Sequence, residues 1–230
     1  MKVKIALLGA TGAIGKEIMK LAKKDPRIEE LCVVVRRRLD TWKDEEFQCK
    51  LKVIQMESLD SMEEHIKDQF VGYDGIISTM GCLSKMGETE FRKVEIQYPS
   101  VFAKSALSQG VKYFGILTSG HCDANSMFIL PKIKGEIERD FVKFGFPHLA
   151  YFRAGLITDR EEARTIEKVL QWVPFIPKIT APDLGRAILD HAIETALKIQ
   201  TGEIEQNKHH NVQHNDMIRH AAEIRQNQSK

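Results

Sequence analysis

Short apolar runs alternate with stretches of helical periodicity along most of the chain. The apolar runs, such as IALL near the start and VVV after Cys32, are continuous, which is typical of strands buried on both faces of a sheet. On this basis six strands are predicted: Lys2–Leu8, Leu31–Arg36, Leu51–Met56, Gly75–Thr79, Tyr113–Leu117 and His148–Phe152. Helical periodicity predicts seven helices: Ala13–Lys24, Ser61–Gln69, Glu90–Gln109, Ile133–Phe144, Glu161–Leu170, Asp183–Ile199 and Asp216–Gln226. Because strands and helices alternate, the pattern favours right-handed crossovers and a doubly wound parallel sheet of the α/β class.

Length and composition are those of an ordinary soluble protein. The 230 residues fit one domain, 1–230, in which residues 155–230 contribute a smaller substrate-side region. After Gln200 the chain becomes polar, and we expect a solvated tail that ends in an amphipathic helix. The formal net charge is only +2, with no basic stripe, so a nucleic-acid partner is not expected. No uncharged apolar run approaches the roughly 20 residues of a membrane span.

Cysteine usage bears on the compartment. Cys32, Cys49, Cys82 and Cys122 are widely spaced and form no CxxC pair, which favours free thiols in a reducing compartment and offers no zinc site. The apolar run after the first lysines is too short for a good signal-peptide core. These two observations lead us to expect a cytoplasmic location.

A glycine-rich turn directly follows the first predicted strand and opens the first helix. In its G-x-x-G-x-x-G spacing, the first glycine permits a tight turn, the second lets the main chain approach a pyrophosphate, and the third lets the helix pack closely. The N–H groups at the start of a helix also attract phosphate. This context predicts a Rossmann fold that binds a dinucleotide, rather than a turn without ligand. The predicted contacts are Gly9, Thr11, Gly12, Ala13, Ile14 and Gly15.

The end of the second strand indicates which dinucleotide is bound. A carboxylate there would hold the ribose 2′-hydroxyl of NAD, but the sequence has Arg36, Arg37 and Arg38, with no acid before Asp40. Guanidinium groups bind phosphate in a bidentate manner, whereas a carboxylate would repel it. NADP(H) is therefore the predicted cofactor, with Arg36 and Arg37 at the 2′-phosphate and at least one arginine of the three solvated.

Other cofactor contacts are expected where further parallel strands end. Thr79, Met80 and Gly81 follow the fourth strand and are predicted beside the cofactor ribose. Gln55 and Glu57 follow the third strand and are expected near the adenine.

Several stretches together resemble the atypical short-chain dehydrogenase/reductases, and within them the Tat-interacting 30 kDa protein group, also called the HTATIP2-like oxidoreductases. The stretches are the GATGAIG turn, the arginines after strand two, LTSG at Leu117–Gly120, KGEIE at Lys134–Glu138, and FRAG with a following D-R pair at Phe152–Arg160. The resemblance extends to about Leu189. It implies a Rossmann fold with a nicotinamide cofactor, in a group that includes cofactor-binding regulators of transport and transcription.

The resemblance also implies a catalytic side. The family uses a serine and a Tyr-x-x-x-Lys pair, in which the tyrosine exchanges a proton and the lysine binds the nicotinamide ribose. Carried over, the serine corresponds to Ser119 and the lysine to Lys134, while Arg153 and Gly155 match a loop near the nicotinamide. The tyrosine position falls on Leu130, which has no transferable proton, and the chain contains no Y-x-x-x-K anywhere.

Two functions stay open at this level. The first is an NADP(H)-binding regulatory or interaction protein with a degenerate active site, which would act through a protein partner. The second is an NADPH-dependent oxidoreductase that reduces a small apolar carbonyl compound with water, Lys132 or His121 as the substitute proton donor. Cys82 and Cys122 could face the same pocket, although a small buried hydrophobe is the default interpretation of such thiols.

Two C-terminal segments carry further hypotheses. The apolar stretch Trp172–Pro177 suits either a substrate-side lid or core packing. His209, His210, His214 and His220 cluster in the polar tail, and His210 and His214 have the i,i+4 spacing of helical metal ligands. Since no acid or cysteine arrangement completes a metal site, solvated histidines are the favoured interpretation.

Overall fold

A parallel sheet of seven strands forms the centre of the molecule, with strand order β3-β2-β1-β4-β5-β6-β9. The computed structural model describes residues 1–82, 87–159, 177–204 and 208–228. The strands of this sheet are β1 (Val3–Leu8), β2 (Ile28–Val35), β3 (Lys50–Gln55), β4 (Gly75–Ser78), β5 (Tyr113–Ser119), β6 (His148–Ala154) and β9 (Lys208–Gln213). A separate parallel pair joins β7 (Leu156–Thr158) to β8 (Lys178–Thr180).

Helices cover both faces of the sheet. They are α1 (Ala13–Ala22), α2 (Met62–Ile66), α3 (Glu88–Arg92), α4 (Tyr98–Ser108), α5 (Ile129–Phe141), α6 (Ala181–Thr201) and α7 (His214–Gln228). A π-helical turn, Lys93–Gln97, connects α3 directly to α4. Short 3-10 turns lie at Asp44–Glu46, Leu59–Ser61 and Val142–Phe144. Among the described residues, no helix combines the length and the apolarity that a membrane span needs.

Alternate residues of the central strands feed two separate cores. Ile5 and Leu7 of β1 join the cluster that packs against α1, α6 and α7. Ala6 and Leu8 of the same strand join the cluster that packs against α2 to α5. Because both faces of each central strand are buried, its sequence has to be apolar throughout, which is why the runs in the sequence are continuous.

The structure confirms the α/β class and the doubly wound parallel sheet, with all six predicted strands in place. Helix Glu161–Leu170 and most of the apolar stretch Trp172–Pro177 lie outside the described residues. The polar tail differs from the prediction, since Lys208–Gln213 forms the seventh strand of the sheet. The pair β7–β8 was also not predicted, because each strand has only three residues.

The strand order reverses between β1 and β4, which lie side by side at the middle of the sheet. In open α/β sheets a crevice forms at such a switch point, beyond the carboxyl ends of the strands. This crevice is where the glycine turn after β1 and the segment after β4 meet.

Candidate nucleotide-binding site

A cavity of about 360 Å³ lies at this switch point. The volume falls within the roughly 300–1,000 Å³ that small-molecule sites usually occupy. Its walls come from the ends of the first four strands and from the α3–α4 region, and seven predicted contacts line it: Gly9, Thr11, Gly12, Arg36, Thr79, Met80 and Gly81. Glu57 and Cys82, which the sequence suggested near the adenine and the pocket, line it as well. The structure therefore brings together residues that are as far apart in the chain as Gly9 and Cys82.

The glycine turn is shaped by close main-chain contacts. Gly9 has φ +95°, and a Cβ there would lie 2.8 Å from Thr79 Oγ1. A Cβ on Gly15 would lie 2.1 Å from the Gly9 carbonyl oxygen, so the first turn of α1 can approach the loop only with glycine at this position. Gly12 begins α1 as its N-cap and donates its N–H to the Gly9 carbonyl at 3.0 Å. Ala13, Ile14 and Gly15 do not line the cavity, and the Ile14 side chain is in the core.

The three arginines after β2 have different environments. Arg36 lines the cavity, is exposed, and makes no side-chain hydrogen bond or ion pair within the described part of the chain. Arg37 is exposed but does not line the cavity. Arg38 donates to the Trp42 carbonyl and to Asp44 Oδ1, both at 2.6 Å, so its charge serves the local turn. Arg36 is therefore the guanidinium of the three that can meet a ligand in this cavity.

Several lining residues were not predicted from the sequence. Glu90, Val94 and Tyr98 come from the α3–α4 region and close the cavity opposite the glycine turn. Tyr98 donates to Asp60 at 3.0 Å, and burial, together with this hydrogen bond, raises the pKa of its hydroxyl. No motif marks these residues, since they reach the cavity only through the packing of a helix.

Lys134, predicted as a ribose ligand, does not line the cavity. Its ammonium group is buried and lies 2.7 Å from Glu95 Oε2 and 3.0 Å from the Leu117 carbonyl. Glu95 lies on the π-helical turn and is only 4% exposed. No motif points to Glu95, although the sequence carries one signal: the acid falls on the same helical stripe as the buried Phe91 and Phe102.

The other predicted catalytic residues lie at the end of β5. Ser119 is half-buried, and its Oγ accepts from the main-chain N–H of the exposed His121 at 3.4 Å. Cys122 donates its thiol to the Ser119 carbonyl at 2.9 Å. Burial raises the pKa of the Cys122 thiol to about 11, which leaves little thiolate at neutral pH and argues against a redox role. None of these three residues lines the cavity.

Leu130 lies in the first turn of α5 and is 43% exposed, beside the exposed Met127 and Phe128. Pro131 follows within the same first turn, where the missing N–H costs little. Gly135, from the KGEIE stretch, packs against the preceding loop so closely that a Cβ would lie 2.2 Å from the Ala124 main-chain nitrogen. Gly135 of the KGEIE stretch thus lets α5 pack against the loop before it. Leu130, at the position where the resemblance implies a tyrosine, is an aliphatic residue in the first turn of the same helix.

Arg153 and Gly155 do not reach the cavity either. Arg153 donates to Glu138 at 2.9 Å, and this hydrogen bond raises the pKa of the guanidinium. Gly155 donates its N–H to His214 Nδ1 at 3.0 Å, and a Cβ there would lie 2.4 Å from the Pro177 carbonyl oxygen. Arg153 thus connects β6 to α5, and Gly155 connects the residue after β6 to α7, with its N–H already bonded to His214.

The prediction of solvated histidines is wrong for His210 and His214, whereas His209 is exposed as predicted. His210 lies on β9 and is half-buried, and His214 begins α7 and is buried, so the two are not ligands on one helix. Within the described ranges no group of three or more His, Cys, Asp or Glu side chains has the geometry to hold a metal ion.

Comparison with known proteins places these observations in a family. No protein-family model matches the chain. The chain is 32% identical over 202 residues to protein FMP52 of Candida albicans, covering 81% of this chain and 86% of that protein. It is 27% identical over 200 residues to protein FMP52-2 of Scheffersomyces stipitis, covering 83% and 85%.

Solved structures support the fold. A structure of MoeE5 with UDP-glucose and NAD matches with a TM-score of 0.64 at 13% identity, covering 96% of this chain and 81% of that one. A short chain dehydrogenase family protein from Francisella tularensis also matches with a TM-score of 0.64 at 13% identity, covering 95% and 100%. At this identity the likeness shows the fold alone, a doubly wound α/β sheet of the Rossmann kind.

Two expectations change with these comparisons. The expected cytoplasmic location is wrong by this comparison, because the relatives from Candida albicans, Scheffersomyces stipitis and Aspergillus fumigatus are all named mitochondrial proteins. The resemblance to the Tat-interacting 30 kDa protein group stays a prediction, since the curated relatives carry the FMP52 name. With 32% identity over four fifths of its length, the chain belongs to the FMP52 family.

Proposed function

We propose that this chain binds NADP(H) in the cavity at the switch point and acts as a cofactor-dependent regulatory protein with a degenerate active site. One observation carries the proposal: the same cavity is lined by the glycine turn and by Arg36. Within the described part of the chain, the Arg36 side chain has no hydrogen-bond or ion-pair partner. The names of its relatives support a mitochondrial location for this function.

The residues of the cavity fit such a cofactor. The main chain of Gly9 to Gly12, at the start of α1, would bind the pyrophosphate. At the two glycines it has no side chain of its own to keep the phosphates away. Arg36 suits the 2′-phosphate, and Thr79, Met80 and Gly81 suit the ribose. Bound NADP(H) would supply or accept a hydride, whereas the chain supplies orientation and charge.

The catalytic side supports a regulatory role. Leu130 cannot exchange a proton, and the loss of a general acid typically costs about 10²–10⁴-fold in rate. Lys134 is paired with Glu95 and is not directed to the cavity. A regulatory protein of this kind requires a protein partner that distinguishes the cofactor-loaded chain from the empty one.

Two neighbouring arginines provide a matched test of the cofactor assignment. Calorimetric titration should show that wild type binds NADPH more tightly than NADH. Arg36→Ala should weaken NADPH binding by about 10- to 100-fold, the worth of a charge-assisted hydrogen bond, and leave NADH binding almost unchanged. Arg37→Ala, which removes an equally exposed arginine outside the cavity, should change neither affinity more than about twofold. Equal losses for NADPH and NADH in Arg36→Ala would contradict the 2′-phosphate assignment.

The same preparations test the degenerate active site. With a panel of small apolar aldehydes and ketones, wild type should oxidise NADPH no faster than the buffer control. Robust turnover by wild type that His121→Ala abolishes would overturn the regulatory proposal and establish the reductase instead.

A further inference from the structure

A buried acid lies directly behind the wall of the nucleotide cavity. Glu95 is 4% exposed and is carried by the π-helical turn between α3 and α4. A π-helical turn inserts one extra residue into a helix, and such turns are frequent at functional sites. The turn here places a carboxylate on the face that otherwise carries Phe91 and Phe102.

One carboxylate oxygen of Glu95 supports the cavity wall. Glu95 Oε1 accepts from the main-chain N–H of Cys82 at 3.2 Å. A Cβ on Gly81 would lie 3.4 Å from the same oxygen, so the acid is in contact with the back of this segment. Gly81 and Cys82 both line the cavity. The position of the wall therefore depends on where the carboxylate is held.

The other oxygen binds Lys134. Glu95 Oε2 lies 2.7 Å from Lys134 Nζ, and the two side chains are 4% and 9% exposed. Lys134 Nζ also donates to the Leu117 carbonyl at the end of β5. Removing one partner from a buried ion pair leaves the other charge without compensation, which is much more costly than replacing both. Each residue of this pair is thus required by the other.

We propose that Glu95 is the positioning residue of the nucleotide site, and that Lys134 is its counter-ion and not a ribose ligand. The proposal deepens the proposed function, on which it rests. It explains why the chain keeps the lysine of the family motif although the tyrosine is replaced by Leu130. Glu95 fixes the Gly81–Cys82 main chain against the cofactor, and Lys134 fixes Glu95.

Three variants separate the two roles: Lys134→Met, Glu95→Gln/Lys134→Met and Glu95→Leu/Lys134→Met. Thermal unfolding reports the buried pair. Titration with NADPH and with 2′,5′-ADP, which lacks the nicotinamide half, reports the cavity. Lys134→Met alone should lower Tm by roughly 10 °C and should weaken the binding of both nucleotides by the same factor. Both double variants should recover most of the lost Tm, because no buried charge is left uncompensated.

The double variants differ in nucleotide binding. In Glu95→Gln/Lys134→Met the introduced amide is uncharged, but its oxygen still accepts from the Cys82 N–H, so binding of both nucleotides should return to within about threefold of wild type. In Glu95→Leu/Lys134→Met the Cys82 N–H loses this acceptor. The variant should therefore bind both nucleotides about tenfold more weakly than wild type, or weaker still. This split between stability and affinity is one that a merely structural role of Glu95 would not produce.

A neighbouring ion pair that also reaches α5 serves as the control. Arg92 on α3 is bound to Glu136 on α5, outside the cavity wall. Arg92→Gln should lower Tm moderately and leave both nucleotide affinities unchanged.

Two binding results with the variants would overturn the proposal. In one, Lys134→Met weakens the binding of NADPH but leaves the binding of 2′,5′-ADP unchanged, which would show that Lys134 contacts the nicotinamide half of the cofactor. In the other, Glu95→Leu/Lys134→Met binds both nucleotides as tightly as wild type. A wild-type chain that binds neither nucleotide would overturn the proposed function and the positioning role together, whereas failure of the thermal recovery alone would refute the counter-ion role.

Discussion

Single residues decide how closely the glycine turn approaches its neighbours. Gly9 faces Thr79 across the switch point, and Gly15 faces the Gly9 carbonyl, at Cβ distances that a larger residue cannot occupy. The two glycines therefore allow the main chain at the ends of β1 and β4 and at the start of α1 to lie in close contact. A methyl group at Gly15 would have to move α1 or the loop, and either movement displaces the main chain that lines the cavity.

Gly15→Ala should therefore destabilise the protein by about 1–3 kcal/mol and weaken NADPH binding at least tenfold. Chemical denaturation and nucleotide titration measure the two effects. Gly120→Ala is the matched control, since a Cβ there would lie 3.6 Å from the Ala154 carbonyl, an ordinary contact. A Gly15→Ala variant that binds NADPH as well as the control would refute the close-packing argument.

The sequence predicted these glycines and Arg36 because each is tied to a local pattern, a turn after a strand or a basic run at a strand end. It did not predict the environment of Lys134. The lysine was assigned by resemblance, and its partner Glu95 is 39 positions away on a different element. Motifs identify residues whose role follows from their own neighbourhood in the chain, and they miss residues whose role comes from long-range packing.

At the scale of elements, β9 shows what periodicity does not detect, whereas the helix after it was predicted from its periodicity. The strand KHHNVQ has no apolar run because it lies at the edge of the sheet, where β6 is its only neighbour in the described sheet. Histidine ring contacts pack this strand against β6 and α6 instead. The ring of His210 lies 6.0 Å from that of His148 on β6 and 5.1 Å from that of His191 on α6, measured between centroids. His214 accepts the Gly155 N–H, which requires its Nδ1 to be unprotonated.

These four histidines are held in the uncharged form. Burial lowers the pKa of His191 to about 3 and of His210 to about 4, and it also lowers the pKa of His148 and His214. Nearby positive charges, Lys208 among them, act in the same direction on His148 and His210. The folded state therefore binds fewer protons than the unfolded state below the ordinary histidine pKa of 6.5.

The free energy of unfolding should consequently be fully retained above pH 6.5 and fall as the pH drops towards 4. Between pH 7.5 and 5.5 we expect a loss of about 2 kcal/mol. Urea denaturation at each pH measures it, and hydrogen exchange should show the β9 amides opening first. His210→Phe keeps a ring in the contact without a proton site, so its loss over the same range should be clearly smaller than that of wild type. An equal loss in this variant would refute the assignment.

At the scale of the whole molecule, one ionic cluster joins the beginning of the fold to its end. Arg27, before β2, binds Asp25 and also Asp190 on α6, which is 3% exposed. Asp190 in turn lies 3.1 Å from His220 on α7. The N-terminal half, which forms most of the candidate site, and the C-terminal helices are thus held by a shared buried carboxylate. The sequence predicted β2 and α6 but could not pair Arg27 with Asp190, which are 163 positions apart.

Arg27→Met should destabilise the whole protein by about 3 kcal/mol, because it leaves Asp190 buried with less compensation. For a chain of this size the loss corresponds to a drop in Tm of roughly 6–12 °C in a thermal melt. Arg139→Ala removes an exposed arginine whose partner, Asp140, is partly exposed, and should change Tm by less than about 2 °C. A similar small change in Arg27→Met would show that the cluster does not link the two ends.

The sheet that carries the site is open, and both of its outer strands carry lysine side chains. Lys50 and Lys52 lie on β3 at one border, and Lys208 and two histidines lie on β9 at the other. An outer strand offers main-chain donors and acceptors to any extended segment that meets it, and positive side chains discourage such pairing between molecules. The same polar composition that hid β9 from pattern analysis therefore protects the folded chain against edge-to-edge aggregation.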